Sequence, residues 1–312
     1  SSDLIAPLVS GNNKSNFGVE RLDNSPSKDI LTVVGIFLLN AVFTYKEGFG
    51  PFPDFVHHTE YPYEYRGISD ELAIEKLDTY LSTTLNPNEV AGIVIEIQLG
   101  EGGYIPASKA FIQHLRKVCD ENGILLIFDE VQTGFGRTGK MFGADHVDVE
   151  PDIVTLAKGI AGGFPLAAVL GRSHIMDSIH DAGIGSTFGA SPISCAASLG
   201  VLEAFDNENI ISNTKIQEKI MKNALNAMMD NYDFIGDVRG YGPMIGVEIV
   251  ESKISKIPDK SKVTKILDQC KENGLLLVSC GQEGNVIRFM GPLTTPQNQV
   301  EEAMEIFKNS LV

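Results

Sequence analysis

Three charged residues each follow an apolar run directly: Glu96 after GIVI, Asp129 after LLIF and Lys158 after IVTLA. Short apolar runs between amphipathic helices read as buried parallel strands. In parallel α/β sheets, ligands bind beyond the carboxyl ends of the strands. The three charges are therefore expected in one cleft. An amine beside a carboxylate suits a ligand that needs both a covalent lysine and a buried counter-charge. Taken singly, Asp129 reads as an acid in a turn and Lys158 as a solvated lysine. Gly159, Gly162 and Gly163 clear space behind Lys158 and favour the joint reading.

The second run leads into Gly134-Phe135-Gly136-Arg137-Thr138-Gly139, which spells GxGxxG. A dinucleotide loop should open straight into a helix, with an acid about 20 residues further on. KMFGADHVDVEP follows instead, with no helical period. The glycines are read as a tight structural loop.

The elements around these residues are legible as an alternation. Ser69 is expected to cap a helix with Asp70 and Glu71 in its first turn, and with Leu72, Leu77, Tyr80 and Leu81 on its apolar face. Ser108 is expected to cap a second, with Phe111, Ile112, Leu115, Val118 and Cys119 inward and Gly123 ending it. AGIVIEI, ILLIFDE, DIVTLAKG and LAAVLG read as strands. The pattern predicts an α/β fold with a mostly parallel central sheet covered by helices. After Pro192 a helix of small residues is expected, then a longer one with Ile216, Ile220, Ala224 and Met228 on one side. PMIGVEIV, LLLVSC and NVIRFM look like strands set between further helices. This change of character places a boundary near residues 206–212. It divides a large cofactor-binding domain, 45–208, from a smaller C-terminal α/β domain, 209–312.

Of the 312 residues, 25 are Lys or Arg and 41 are Asp or Glu, a net charge of −16. That balance argues against nucleic acid or an anionic membrane as partner. Residues 30–45 are almost wholly apolar, but the run is shorter than the roughly 20 residues of a membrane span, and Asn40 interrupts it. It reads as buried core. Four scattered cysteines without a CxxC suit a reducing compartment, and a cytoplasmic location is expected. The six histidines show no metal-binding spacing.

Pyridoxal phosphate requires the pair described above. A lysine holds its aldehyde as a Schiff base, and a carboxylate keeps its pyridine nitrogen protonated. Opposite charges about 4 Å apart attract by about 4 kcal/mol at an effective dielectric near 20, enough to hold the protonated form. GILLIFDEVQTGFGRTGKMFGADHVDVEPDIVTLAKGIAGGFPLAAVLGR resembles the core of the class-III pyridoxal-phosphate-dependent aminotransferases. IGDVRGYGPMIGVEI and LLLVSCGQEGNVIRFMGPLT extend the likeness and look most like 4-aminobutyrate aminotransferases. The resemblance runs from about Tyr45 to the end and implies fold type I.

The resemblance also implies roles. Asp129 would pair with the pyridine nitrogen, Val131 would pack on the ring, Gln132 would reach the ring hydroxyl, and Lys158 would carry the Schiff base and shuttle the proton. Thr187, with Ser186 beside it, resembles the threonine that reaches the phosphate of a neighbouring subunit's cofactor. This implies a homodimer and leaves a tetramer open. Glu96 and Arg288 resemble a gate. Glutamate neutralises arginine when the donor lacks an α-carboxylate, then swings away so that arginine can grip one. The implied reaction moves an amino group from an ω-amino acid, 4-aminobutyrate foremost, to 2-oxoglutarate. Ornithine or acetylornithine aminotransferase, an amino-acid racemase and a non-catalytic binding homologue are the alternatives.

Two departures stand out. The family's Pro-Val-Gln after the strand-end glutamate is replaced by Ile97-Gln98-Leu99. The family's N-terminal phosphate loop and its aromatic-His-Gly-Arg-Thr segment are not found before Tyr45. Residues 1–44 are therefore expected to be unmatched: either the chain is truncated, or ordered fragments are joined across omitted ones.

Overall fold

The computed structural model describes residues 32–36, 55–179 and 185–311. Most of residues 1–44, with most of the apolar run at 30–45, lie outside them; within that run, Thr32–Ile36 forms the first strand.

Strands β1 (Thr32–Ile36), β2 (Val56–Thr59), β3 (Val90–Ile95), β4 (Leu125–Asp129), β5 (Ile153–Leu156) and β6 (Ala168–Gly171) form one sheet in the order β2-β1-β3-β4-β5-β6. All neighbours are parallel except β5 and β6, which run antiparallel. The central strands β3 and β4 are apolar toward both faces, as a covered parallel sheet requires.

Helices α1 (Asp70–Thr83) and α2 (Lys109–Asn122) follow the expected signals. Ser69 Oγ accepts the Leu72 N–H at 3.3 Å, and Ser108 Oγ accepts the Phe111 N–H at 3.0 Å. Each satisfies an amide that the first turn leaves open, a contribution of about 1 kcal/mol. Gly123 ends α2 at φ +62°, where a Cβ would be strained. All five apolar residues expected inward on α2 are buried. They pack with Leu77 and Leu81 of α1 against Ile93, Ile95 and Phe128 of the sheet.

Helices α3 (Pro192–Asn207) and α4 (Ile210–Asn231) follow a single helical turn at Ser173–Met176. Of the four residues expected on one side of α4, Met228 is buried and Ile220 and Ala224 pack half-buried against the core, whereas Ile216 is exposed. The buried face extends to Met221 and Leu225 and includes two polar residues, Thr214 and Gln217, the latter donating to Leu293 O at 3.0 Å.

Strands β7 (Ile235–Arg239), β8 (Ile245–Ile249), β9 (Val278–Cys280) and β10 (Val286–Phe289) form an antiparallel sheet in the order β7-β8-β10-β9. Helices α4, α5 (Lys260–Glu272) and α6 (Gln297–Asn309) cover it. Its core joins Met221, Leu225, Ile245, Val247, Val263 and Phe307. Gln98 and Arg239 are among the side chains that tie the sheets together. Gln98, fully buried, donates to Met244 O at 2.9 Å and accepts the Tyr241 N–H at 2.7 Å. Arg239 donates twice to Gly103 O, at 3.0 and 2.7 Å. Gln98 is one of the residues that replace the family's Pro-Val-Gln, and it has become a bridge.

Candidate active site

The site lies where β3, β4 and β5 end. Their register pairs Ile95 with Phe128 and Asp129 with Thr155. Glu96 therefore follows directly beside Asp129, and Lys158 emerges three residues beyond Thr155. Alternation along the strand sends Asp129 and Glu130 to opposite faces. The two acids differ accordingly. Glu130 is buried, accepts the Gly143 and Ala144 N–H groups at 2.9 and 2.7 Å, and accepts the Thr133 hydroxyl. It holds the following loop in place. Asp129 accepts the Val131 N–H at 2.9 Å. Burial raises its carboxyl above the ordinary value, and Val131, Thr155 and the Lys158 charge offset part of that rise.

Glu96 lies in the same field. Burial first, then the neighbouring Asp129, pushes its carboxyl up to about 8; the Gly100 N–H, 2.6 Å from Oε2, and Lys158 draw it partly back. Lys158 thus acts electrostatically on both acids, which places the three charges in one constellation. Lys158 opens a short 3-10 turn, Lys158–Ala161, with φ +46°, a left-handed conformation that costs a non-glycine residue about 1 kcal/mol. Ile160 and Ala161 of that turn pack with Phe135 and Leu156 and against α3, which holds the strained turn so that the lysine is exposed.

Gln132 follows two residues after Glu130, and its Oε1 is buried without a hydrogen-bond partner among the described residues. This leaves an acceptor for a ligand hydroxyl. A Cβ at Gly100 would lie 2.5 Å from that oxygen, so only glycine allows the approach. The glycines at 134–139 make tight turns, with Gly136 at φ +81° and Gly139 at φ +83°, and open into no α-helix.

Arg288, on β10, pairs with Glu101 at 2.5 Å and not with Glu96. Its Nε is buried without a partner among the described residues. Ser186 and Thr187 are exposed, in and before the turn at 187–190, with Phe188 beside them 86% exposed. No hydrogen bond among the described residues joins them to Asp129, Gln132 or Lys158. Cys280 ends β9, and burial pushes its thiol up to about 12, which disfavours the thiolate. Sequence reasoning missed Glu101, Arg239 and the bridging role of Gln98, because their partners are distant in the chain.

This arrangement has counterparts among known proteins. A profile of class-III aminotransferases matches residues 39–311. The chain is 41% identical over 269 residues to 4-aminobutyrate aminotransferase GabT of Escherichia coli K12, covering 86% of this chain and 63% of that one. It is 40% identical over 277 residues to 5-aminovalerate aminotransferase DavT of Pseudomonas putida KT2440, covering 89% and 65%. The chain thus spans slightly under two thirds of the length of these relatives. Among solved structures, a Bacillus anthracis aminotransferase superposes with a TM-score of 0.81 at 27% identity, covering 90% of this chain and 69% of that one. A pyridoxal-phosphate-bound amine transaminase from an uncultivated Pseudomonas species gives 0.81 at 28%, with the same coverage. With fold, strand-end charges and sequence in agreement over most of its length, the chain belongs to the class-III aminotransferase family.

Proposed function

We propose that the protein transfers an amino group from an ω-amino acid, 4-aminobutyrate foremost, to 2-oxoglutarate, using pyridoxal 5'-phosphate bound at Lys158. The observation that carries this reading is the convergence of Lys158 with Asp129 and Glu96 beyond three adjacent strand ends. Relatives named for 4-aminobutyrate and 5-aminovalerate support a donor whose amine is remote from its carboxylate. The residues present fit the cofactor on one direct observation: the buried Gln132 Oε1 lacks a donor among the described residues, and the cofactor's ring hydroxyl would supply one.

When bound, pyridoxal phosphate supplies an aldehyde and a ring that accepts electrons. Lys158 Nζ would hold that aldehyde and then carry the proton between substrate and cofactor carbons. Asp129 would keep the ring nitrogen protonated, and the positive partner would return its carboxyl toward the charged form. Val131 would pack on the ring. Arg288 would grip an α-carboxylate, and Glu96 would adjust its charge as substrates alternate. Ser186 and Thr187, exposed beside Phe188, would reach the cofactor phosphate of a second subunit in a homodimer. All four cysteines are free, which goes with a cytoplasmic location.

The test is titration with pyridoxal phosphate, followed by a panel of amino donors with 2-oxoglutarate. An absorbance band near roughly 400–430 nm, lost in Lys158→Ala, is expected, with 4-aminobutyrate turned over faster than ornithine. Absence of the band in the wild-type protein contradicts the reading.

A further inference from the structure

We infer that Glu101 is a specificity-determining residue of this site: it is the carboxylate that occupies Arg288 and competes with a substrate α-carboxylate for it. The inference rests on the aminotransferase reading above and assigns a second acid to its substrate side. Glu101 Oε1 lies 2.5 Å from Arg288 Nη1. The Arg288 side chain is 15% exposed and that of Glu101 39% exposed, so the arginine is the enclosed member and the glutamate the accessible one.

The backbone around Glu101 is pinned. Gly281 N–H donates to Glu101 O at 2.8 Å, Gly103 N–H donates to Gly100 O at 3.2 Å, and Arg239 clamps Gly103 O with two N–H groups. Release of Arg288 therefore requires rotation of the Glu101 side chain and no movement of the loop. In this structure Glu96 is not the partner of Arg288. Its Oε2 takes the Gly100 N–H, and the nearby Asp129 opposes its ionisation.

Arg288 keeps one buried donor, Nε, without a partner among the described residues. A bidentate grip on a carboxylate needs two guanidinium N–H groups. Glu101 holds one nitrogen, and its charge repels an incoming carboxylate. A donor without an α-carboxylate can bind with the pair intact, whereas the carboxylate of a 2-oxo acid competes with Glu101 for the guanidinium. Half-exposed ion pairs of this kind shift affinities by up to about fivefold.

The test uses glutarate, an unreactive dicarboxylate, titrated calorimetrically into the protein loaded with pyridoxal phosphate. Glu101→Gln is expected to bind glutarate about three- to fivefold tighter than wild type. Its KM for 2-oxoglutarate should fall while that for 4-aminobutyrate does not. Glu101→Asp, which keeps the charge, should gain less. In an Arg288→Met background, Glu101→Gln should change nothing, an outcome that a merely structural role would not give. Unchanged or weaker glutarate binding in Glu101→Gln, or the same gain without Arg288, overturns the inference. If wild type shows no cofactor band, the aminotransferase reading itself fails. If the band is normal and glutarate affinity does not move in Glu101→Gln, the role of Glu101 fails alone.

Discussion

Arg239 donates to Glu248 at 2.5 Å across the neighbouring strands β7 and β8, and the same guanidinium clamps Gly103 O in the loop that carries Glu101. Glu248 is 1% exposed and also accepts from Tyr63 and Arg66, which precede α1 in the chain. One buried carboxylate thus joins the second sheet both to the segment before α1 and, through Arg239, to the loop that carries Glu101.

Removing Glu248 leaves Arg239 buried without its main counter-charge. Glu248→Ala is expected to lower stability by about 3–5 kcal/mol in urea unfolding. Burial alone would raise the Glu248 carboxyl, but Arg239, the Tyr63 hydroxyl and Arg66 outweigh it and hold it below the ordinary value. The stability it contributes is therefore present above an unfolded value of about 4.3 and lost as pH falls through the lower folded value. The difference between wild type and Glu248→Ala should shrink in acid. A difference that stays constant to the lowest pH at which the protein folds would contradict this.

Gly100 separates a packing effect from a cofactor effect. A Cβ there would meet Gln132 Oε1 at 2.5 Å and Glu96 Oε2 at 3.2 Å, both ends of flexible side chains. Gly100→Ala should therefore displace Gln132 at little cost to the fold. Loss of one hydrogen bond to the cofactor corresponds to roughly tenfold weaker binding. Titration should show that loss with the thermal midpoint nearly unchanged; equal cofactor affinity would count against the contact.

Glu96 gives the opposite pH sign from Glu248. Its folded value, about 8, lies above the unfolded value of about 4.3. The folded state then binds the proton more tightly, so the contribution is fully present below about 4.3 and is lost as pH rises through about 8. In the cofactor-free protein, Glu96→Gln should be more stable than wild type at pH near 9 by about 1–3 kcal/mol, after discounting for partial exposure. Near pH 5 the two should be similar. Thermal melts at the two pH values measure the difference.

The parts of the molecule that were legible in the sequence are those governed by local rules. The inward face of α2 followed from its apolar period and from caps at Ser108 and Gly123. The strand-end positions of Glu96, Asp129 and Lys158 followed from the apolar runs before them. What escaped depends on partners far along the chain. The burial of Gln217 and Thr214 on α4 is one case, because an apolar pattern passes over polar residues. Strand β7, IGDVR, is half polar and was not recognised, because Asp237 and Arg239 bond within the protein. The antiparallel direction of β6 leaves no mark in composition. The pairing of Arg288 with Glu101 rather than Glu96 depends on how the pinned loop at 100–103 presents its side chains.

The central claim is that Lys158 is the amine that holds the cofactor, with Asp129 as its acidic partner. The most direct measurement is borohydride reduction of the protein after pyridoxal phosphate is added, followed by peptide mass spectrometry. The account predicts a stoichiometric pyridoxyl label on Lys158, with labelling weakened in Asp129→Asn. A label on a different lysine, or a protein that takes none, would contradict it.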